Sequence, residues 1–133
     1  RQRQMCIRDS YNPYLKDRYT SLKDSNKDLS YLESPEYSDM ELFLTVAKEL
    51  GIEVEVIILP VNGKWNDYTG VSREMREKTY KKIENIAKSH GVTVLNYGNK
   101  EYEDYFLFDV MHVGVKGWME VEKELYKFAN ETD

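Results

Sequence analysis

Two histidines occur in the chain, and one of them, His112, follows an aspartate by three residues in Asp109-Val110-Met111-His112. The tetrapeptide falls in a loop ahead of the last predicted helix. An aspartate so placed can hold an imidazole through one ring nitrogen and leave the other free as a base. A serine or thiol is a weak nucleophile until a base takes its proton, and imidazole titrates near working pH. The spacing alone also fits a plainer alternative, a capping aspartate beside a surface histidine. The other histidine, His90, sits in the last turn of a predicted helix, where it complements the helix dipole.

A second candidate segment is Pro60-Val61-Asn62-Gly63-Lys64-Trp65. Asn62 could offer its amide to a developing oxyanion, and Lys64 and Trp65 could hold an anionic or polymeric substrate. Asn-Gly is also ordinary turn chemistry. The aromatics Tyr97, Tyr102, Tyr105, Phe106 and Phe108 could wall a cleft beside His112, or pin a loop onto the core. Glu101, Glu103 and Asp104 read as a solvated acidic loop rather than a metal site. Lys78, Lys81, Lys82 and Lys88 read as a solvated helix face. No Gly-rich phosphate loop is present.

These residues need elements to position them. Residues 1–9 fit no element and read as a non-native leader. Residues 10–33 read as a surface segment or short helix, and residues 34–133 as the folded part. Ser38 with Glu41 suggests a capping box, followed by Met40, Phe43, Leu44, Ala47 and Leu50 at helical spacing and a stop at Gly51. Val54–Leu59 reads as a strand covered on both faces. Pro60 ends it, and a loop over 61–70 follows. Ser72 caps the next helix, whose inner face is Met75, Thr79, Ile83, Ile86 and Ala87. Val92–Leu95 is a second strand, 96–108 an aromatic loop, and 116–128 a last helix with Trp118, Val121, Leu125 and Phe128 inward. Alternating helices and strands predict an α/β fold with a parallel sheet flanked by helices. Ligands in such sheets bind beyond the C-terminal strand ends, where both candidate loops leave.

The chain has 133 residues, 41% hydrophobic and 32% charged, with net charge −5, which reads as one globular domain. No basic patch argues for a nucleic-acid partner. No apolar run approaches the roughly 20 residues of a membrane span. The single cysteine excludes a disulfide within the chain.

Taken together, five motifs resemble the DltD family. They are Ser34-Pro35-Glu36-Tyr37, Pro60 to Trp65, Asp67-Tyr68-Thr69-Gly70, Glu101-Tyr102-Glu103 with Tyr105-Phe106, and Asp109-x-x-His112-x-Gly114-x-Lys116-Gly117-Trp118. They run in the family's order from about Tyr11 onward. The resemblance implies the C-terminal portion of a three-layer SGNH-hydrolase-like sandwich. It implies D-alanyl transfer to lipoteichoic acid in cell-wall polymer biosynthesis, by a serine acyltransferase or thioesterase-like chemistry. The implied partners are a membrane-bound O-acyltransferase and a D-alanyl carrier system. The implied place is the extracellular face of a Gram-positive cell membrane, reached through an N-terminal anchor helix that this chain would lack. No cofactor or metal is implied.

By the family pattern Asp109 and His112 are the acid and base of a triad. Asn62, Lys64, Trp65 and Tyr68 lie in the family loop near the substrate, with Tyr105 and Trp118 in the matching motifs. Val110 and Val115 depart from the pattern, which carries threonine and an aromatic there. The resemblance places the nucleophilic serine in an N-terminal half that this chain would lack, and no serine here sits in a strand-to-helix elbow. On that reading the fragment is inactive alone and exposes a sheet edge. An SGNH esterase acting on a cell-surface carbohydrate, and a non-catalytic α/β partner-binding domain, remain the alternatives.

Overall fold

The computed structural model describes residues 18–131. The leader read over residues 1–9 lies outside the described residues. The fold is α/β. Its elements in order are α1 (Tyr19–Leu22), α2 (Glu36–Glu49), β1 (Glu55–Ile58), α3 (Gly63–Thr69), α4 (Arg73–Ser89), β2 (Thr93–Asn96), a 3-10 turn (Gly98–Lys100) and α5 (Val115–Glu131).

The two strands pair in parallel, with Glu55 opposite Thr93 and Ile58 opposite Asn96. Helices flank this sheet. Leu44, Ile86 and Ala87 form the buried cluster where α2 meets α4, and Val54, Val56, Val92 and Val94 pack against it. β-branched side chains suit this half-buried pleated surface. Only Ile58 of β1 is buried, so this strand is not covered on both faces as predicted, and β2 is half-exposed as well.

α2 begins two residues before the predicted cap. Pro35 holds the N-cap position, and Ser38 lies inside the first turn with its N–H donating to the Pro35 carbonyl. Proline is pre-set for a helix start, and Ser34 links to Glu36 through its hydroxyl at 2.5 Å. The inner face is narrower than the apolar spacing suggests: Leu44 and Ala47 are buried, while Phe43 and Leu50 are 60% and 69% exposed. With Leu42 and Val46 they make an exposed apolar stripe on α2.

The cap at Ser72 forms as predicted, accepting from the Met75 N–H at 3.1 Å. His90 Nδ1 lies 2.9 Å from the Ile86 carbonyl at the end of α4. The segment read as a loop over 61–70 is mostly helix. Asn62 caps α3 through its side-chain oxygen, and Gly70 ends it in the left-handed region. Two capping residues eight apart are a short-helix signal that a turn reading overlooks. On α5 Val121 is buried and Phe128 half-buried, but Trp118 and Leu125 are about half exposed. No helix of the described residues is long and apolar enough to cross a membrane.

Candidate functional site

Residues 106–114 double back on themselves. Phe106 is fully buried and anchors the segment, with Tyr97 tilted against it at 5.4 Å. The Phe108 N–H donates to the His112 carbonyl and the Gly114 N–H to the Phe106 carbonyl, both at 2.7 Å. Leu107 and Val113 bridge between those bonds. Gly114 permits the closure, because a Cβ there would collide with the Tyr105 carbonyl and the Leu107 backbone. Asp109 and His112 therefore stand at the tip of a tight hairpin.

Asp109 uses its two carboxylate oxygens for different tasks. Oδ1 accepts the N–H groups of Met111 at 2.9 Å and His112 at 2.8 Å. Oδ2 lies 2.7 Å from Nδ1 of the His112 ring. The first pair closes the turn, as aspartates do. The second orients the imidazole and assigns the ring proton to Nδ1. The two alternatives read from the spacing, cap and orienting acid, are thus both realised by one side chain. The Asp109 side chain is 11% exposed and that of His112 70%. Nε2 has no hydrogen-bond partner among the described residues. Burial pushes the Asp109 carboxyl up, but the two backbone N–H groups and the His112 ring outweigh it and hold it below its ordinary value.

The structure brings Asn62 to this hairpin. Its Nδ2 donates to the Asp109 carbonyl at 3.3 Å and its backbone N–H to the Val110 carbonyl at 3.4 Å. Its Oδ1 accepts from the Trp65 N–H at 3.0 Å. The remaining residues named from sequence make other contacts. Lys64 forms a solvent-exposed ion pair with Asp104 at 3.7 Å. Trp65 tilts toward Tyr68, which stacks on Tyr19 at 4.4 Å and donates to its carbonyl at 2.5 Å. Tyr105 is 81% exposed at a φ of +66°, with its carbonyl held by the Lys116 N–H. A left-handed non-glycine residue is uncommon. Trp118 is about half exposed and its N–H donates to the Gly114 carbonyl. Among the described residues no hydrogen bond or ring contact links Lys64, Trp65, Tyr68 or Tyr105 to the Asp109–His112 pair.

The acidic loop is the main correction. Glu101 is 7% exposed and forms a bidentate contact with Arg76, itself 2% exposed. The Tyr80 hydroxyl donates to Glu101 Oε1 at 2.8 Å and accepts the Val61 N–H at 3.0 Å. Arg76 also reaches Asp67 at 3.0 Å, the Val71 carbonyl and the Tyr102 hydroxyl. Burial disfavours the guanidinium charge, but Glu101 and Asp67 outweigh that and raise its pKa. The Tyr102 hydroxyl, then Arg76, hold the Asp67 carboxyl below its ordinary value. Sequence reasoning missed this network. The available signal was Arg76, which shares helical spacing with Tyr80, Ile83 and Ala87 on the inner face of α4 and so demands a buried counter-charge. Glu103 pairs with Lys100 and Lys116, and only Asp104 of the three is well solvated. Lys82 leaves the solvated face to donate to the Leu32 carbonyl and cover the Tyr37 ring.

A family model described as "DltD protein" matches residues 2–130. The protein DltD of Bacillus subtilis (strain 168) is 41% identical over 114 residues, which cover 86% of this chain and 29% of that protein. The protein DltD of Staphylococcus aureus (strain NCTC 8325 / PS 47) is 31% identical over 122 residues, covering 91% and 30%. That of Lacticaseibacillus rhamnosus is 33% identical over 125 residues, covering 93% and 30%. The chain spans less than a third of the length of each of these relatives.

Proposed function

The chain belongs to the DltD family, and from that premise we propose that it carries the acid and base of a serine-dependent acyl transfer. The reaction is D-alanyl transfer onto lipoteichoic acid. The observation that supports this most is the Asp109 Oδ2 to His112 Nδ1 contact at 2.7 Å with Nε2 left open on an exposed ring. In a full-length DltD protein, His112 Nε2 takes the proton of a serine hydroxyl as its oxygen attacks the D-alanyl carbonyl. The imidazolium returns that proton to the departing group, and Asp109 stabilises the imidazolium meanwhile. A polyol hydroxyl of the teichoic acid then gives its proton to His112 and takes the acyl group, and His112 returns the proton to the departing serine oxygen. We assign the attacking serine to another part of the protein, as the family resemblance implies; among the described residues no serine hydrogen-bonds to the His112 ring, whose contact is with Asp109.

Lys64, Trp65, Tyr68, Tyr105 and Trp118 are assigned to the substrate side. The exposure of Tyr105 and Trp118 near the hairpin supports this. The surrounding fold is an SGNH-like three-layer sandwich at the extracellular membrane face, working with the O-acyltransferase and the D-alanyl carrier system. The exposed apolar stripe on α2 and a sheet of two strands favour further layers packed there. The deciding experiment is D-alanyl ester transfer by the full-length protein against its His112→Ala form. A loss of about 10²–10⁴-fold is expected for a general base, and equal rates would sink the assignment.

A further inference from the structure

We infer that Asn62 is a positioning residue for the Asp109–His112 hairpin, acting through the loop backbone rather than on the substrate. This rests on the acyl-transfer reading above for its functional consequence, though not for its geometry. Every polar group of Asn62 is engaged, and the contacts point in two directions. Oδ1 and the backbone carbonyl face α3, taking the N–H of Trp65 and both the N–H and side-chain amide of Asn66. Nδ2 and the backbone N–H face the hairpin and hold the carbonyls of Asp109 and Val110. Asn62 therefore joins a helix start to the turn that presents the imidazole.

The helix start is itself fixed from below. The Gly63 N–H donates to the Glu101 carbonyl at 2.9 Å, and a Cβ on Gly63 would run into the Tyr102 ring. The Glu101 carboxylate is locked by Arg76 and Tyr80. A rigid buried ion pair thus reaches the exposed His112 in three steps, through Gly63, Asn62 and Asp109. Backbone carbonyls held from one side leave the Asp109 carboxylate aimed at Nδ1. Reactive constellations need such support to keep their geometry.

The test uses Asn62→Asp and Asn62→Ser in a full-length DltD protein carrying this segment, with histidine labelled in ¹⁵N. Both replacements keep an oxygen to cap α3, so the thermal midpoint should stay near wild type. Ionised aspartate has no donor for the Asp109 carbonyl, and the serine hydroxyl ends one bond short of where the amide nitrogen sits and adds no charge. Wild type should hold His112 in the Nδ1–H tautomer, read from its ring nitrogen shifts. Both variants should move it toward the Nε2–H tautomer and lower kcat by about tenfold or more, with KM little changed. A fall in kcat with an unchanged tautomer would overturn the proposal and make Asn62 a direct oxyanion donor. An unchanged tautomer and unchanged kcat would remove any role. Failure of the acyl-transfer reading shows separately, as full activity in His112→Ala, and the tautomer measurement stands whatever that result.

Discussion

Two carboxylates in this molecule face a basic partner, and they are built oppositely. Glu101 meets Arg76 where both side chains are sealed from solvent, and each oxygen and nitrogen in the contact is matched. Asp109 meets a ring that is mostly in solvent and engaged through one of its two nitrogens. A buried pair with all valences used can only hold shape. A pair with a sheltered acid and an open base has chemistry left over. The difference separates scaffold from site more sharply than the residue types do.

The comparison breaks first on activity. Asp109→Asn in the full-length protein keeps the turn-closing acceptor, but it favours the wrong ring tautomer. Loss of transfer by about 10⁴-fold is expected from the behaviour of comparable triads. A rate within tenfold of wild type would mean that the pair is not an acid–base unit.

The second measurement is stability, and here the order of the two pairs should invert. Glu101→Gln leaves the buried Arg76 charge with only the half-exposed Asp67 as its counter-charge, which costs up to about 3–5 kcal/mol. Replacing Arg76 and Glu101 together by apolar residues of similar volume should recover most of that loss. Urea denaturation of wild type, single and double variants forms the cycle. If the double variant is as unstable as the single, the pair contributes more than mutual neutralisation. Gly114→Ala comes next, at about 1–3 kcal/mol for an overpacked contact. It should disturb His112 as well, because the Cβ displaces the strand on which the hairpin closes.

The two regions also differ in how far sequence discloses them. Asp109 and His112 are legible because their interaction is local: three residues of spacing let one carboxylate bind its own turn and the ring together. Ser72 and Gly51 are legible for the same reason, as caps whose partners lie within one turn. Arg76 and Glu101 stand 25 apart, and nothing in an acidic stretch of loop marks which carboxylate folds inward. The helix over Gly63–Thr69 was hidden because Asn-Gly begins turns and short helices alike. Exposure of Phe43, Leu50 and Trp118 was illegible too. Helical spacing identifies an apolar face, while coverage of that face depends on distant chain.

The smallest expected effect lies in pH. The Asp109 carboxyl is held below its ordinary value by the Met111 and His112 N–H groups and the ring, against the opposing push of burial. A carboxyl whose folded pKa lies below its unfolded value of about 3.9 stabilises the fold fully above that unfolded value. The stabilisation fades as pH falls toward the folded pKa, because the unfolded chain takes up the proton first. Wild type and Asp109→Asn should therefore differ by a constant amount from pH 6 to about pH 5 and converge below about pH 4. Parallel denaturation series at those pH values measure it. A difference that persisted unchanged to pH 2 would place the stabilising contribution of Asp109 in turn geometry alone, and would remove its charge from the account of how the hairpin is held.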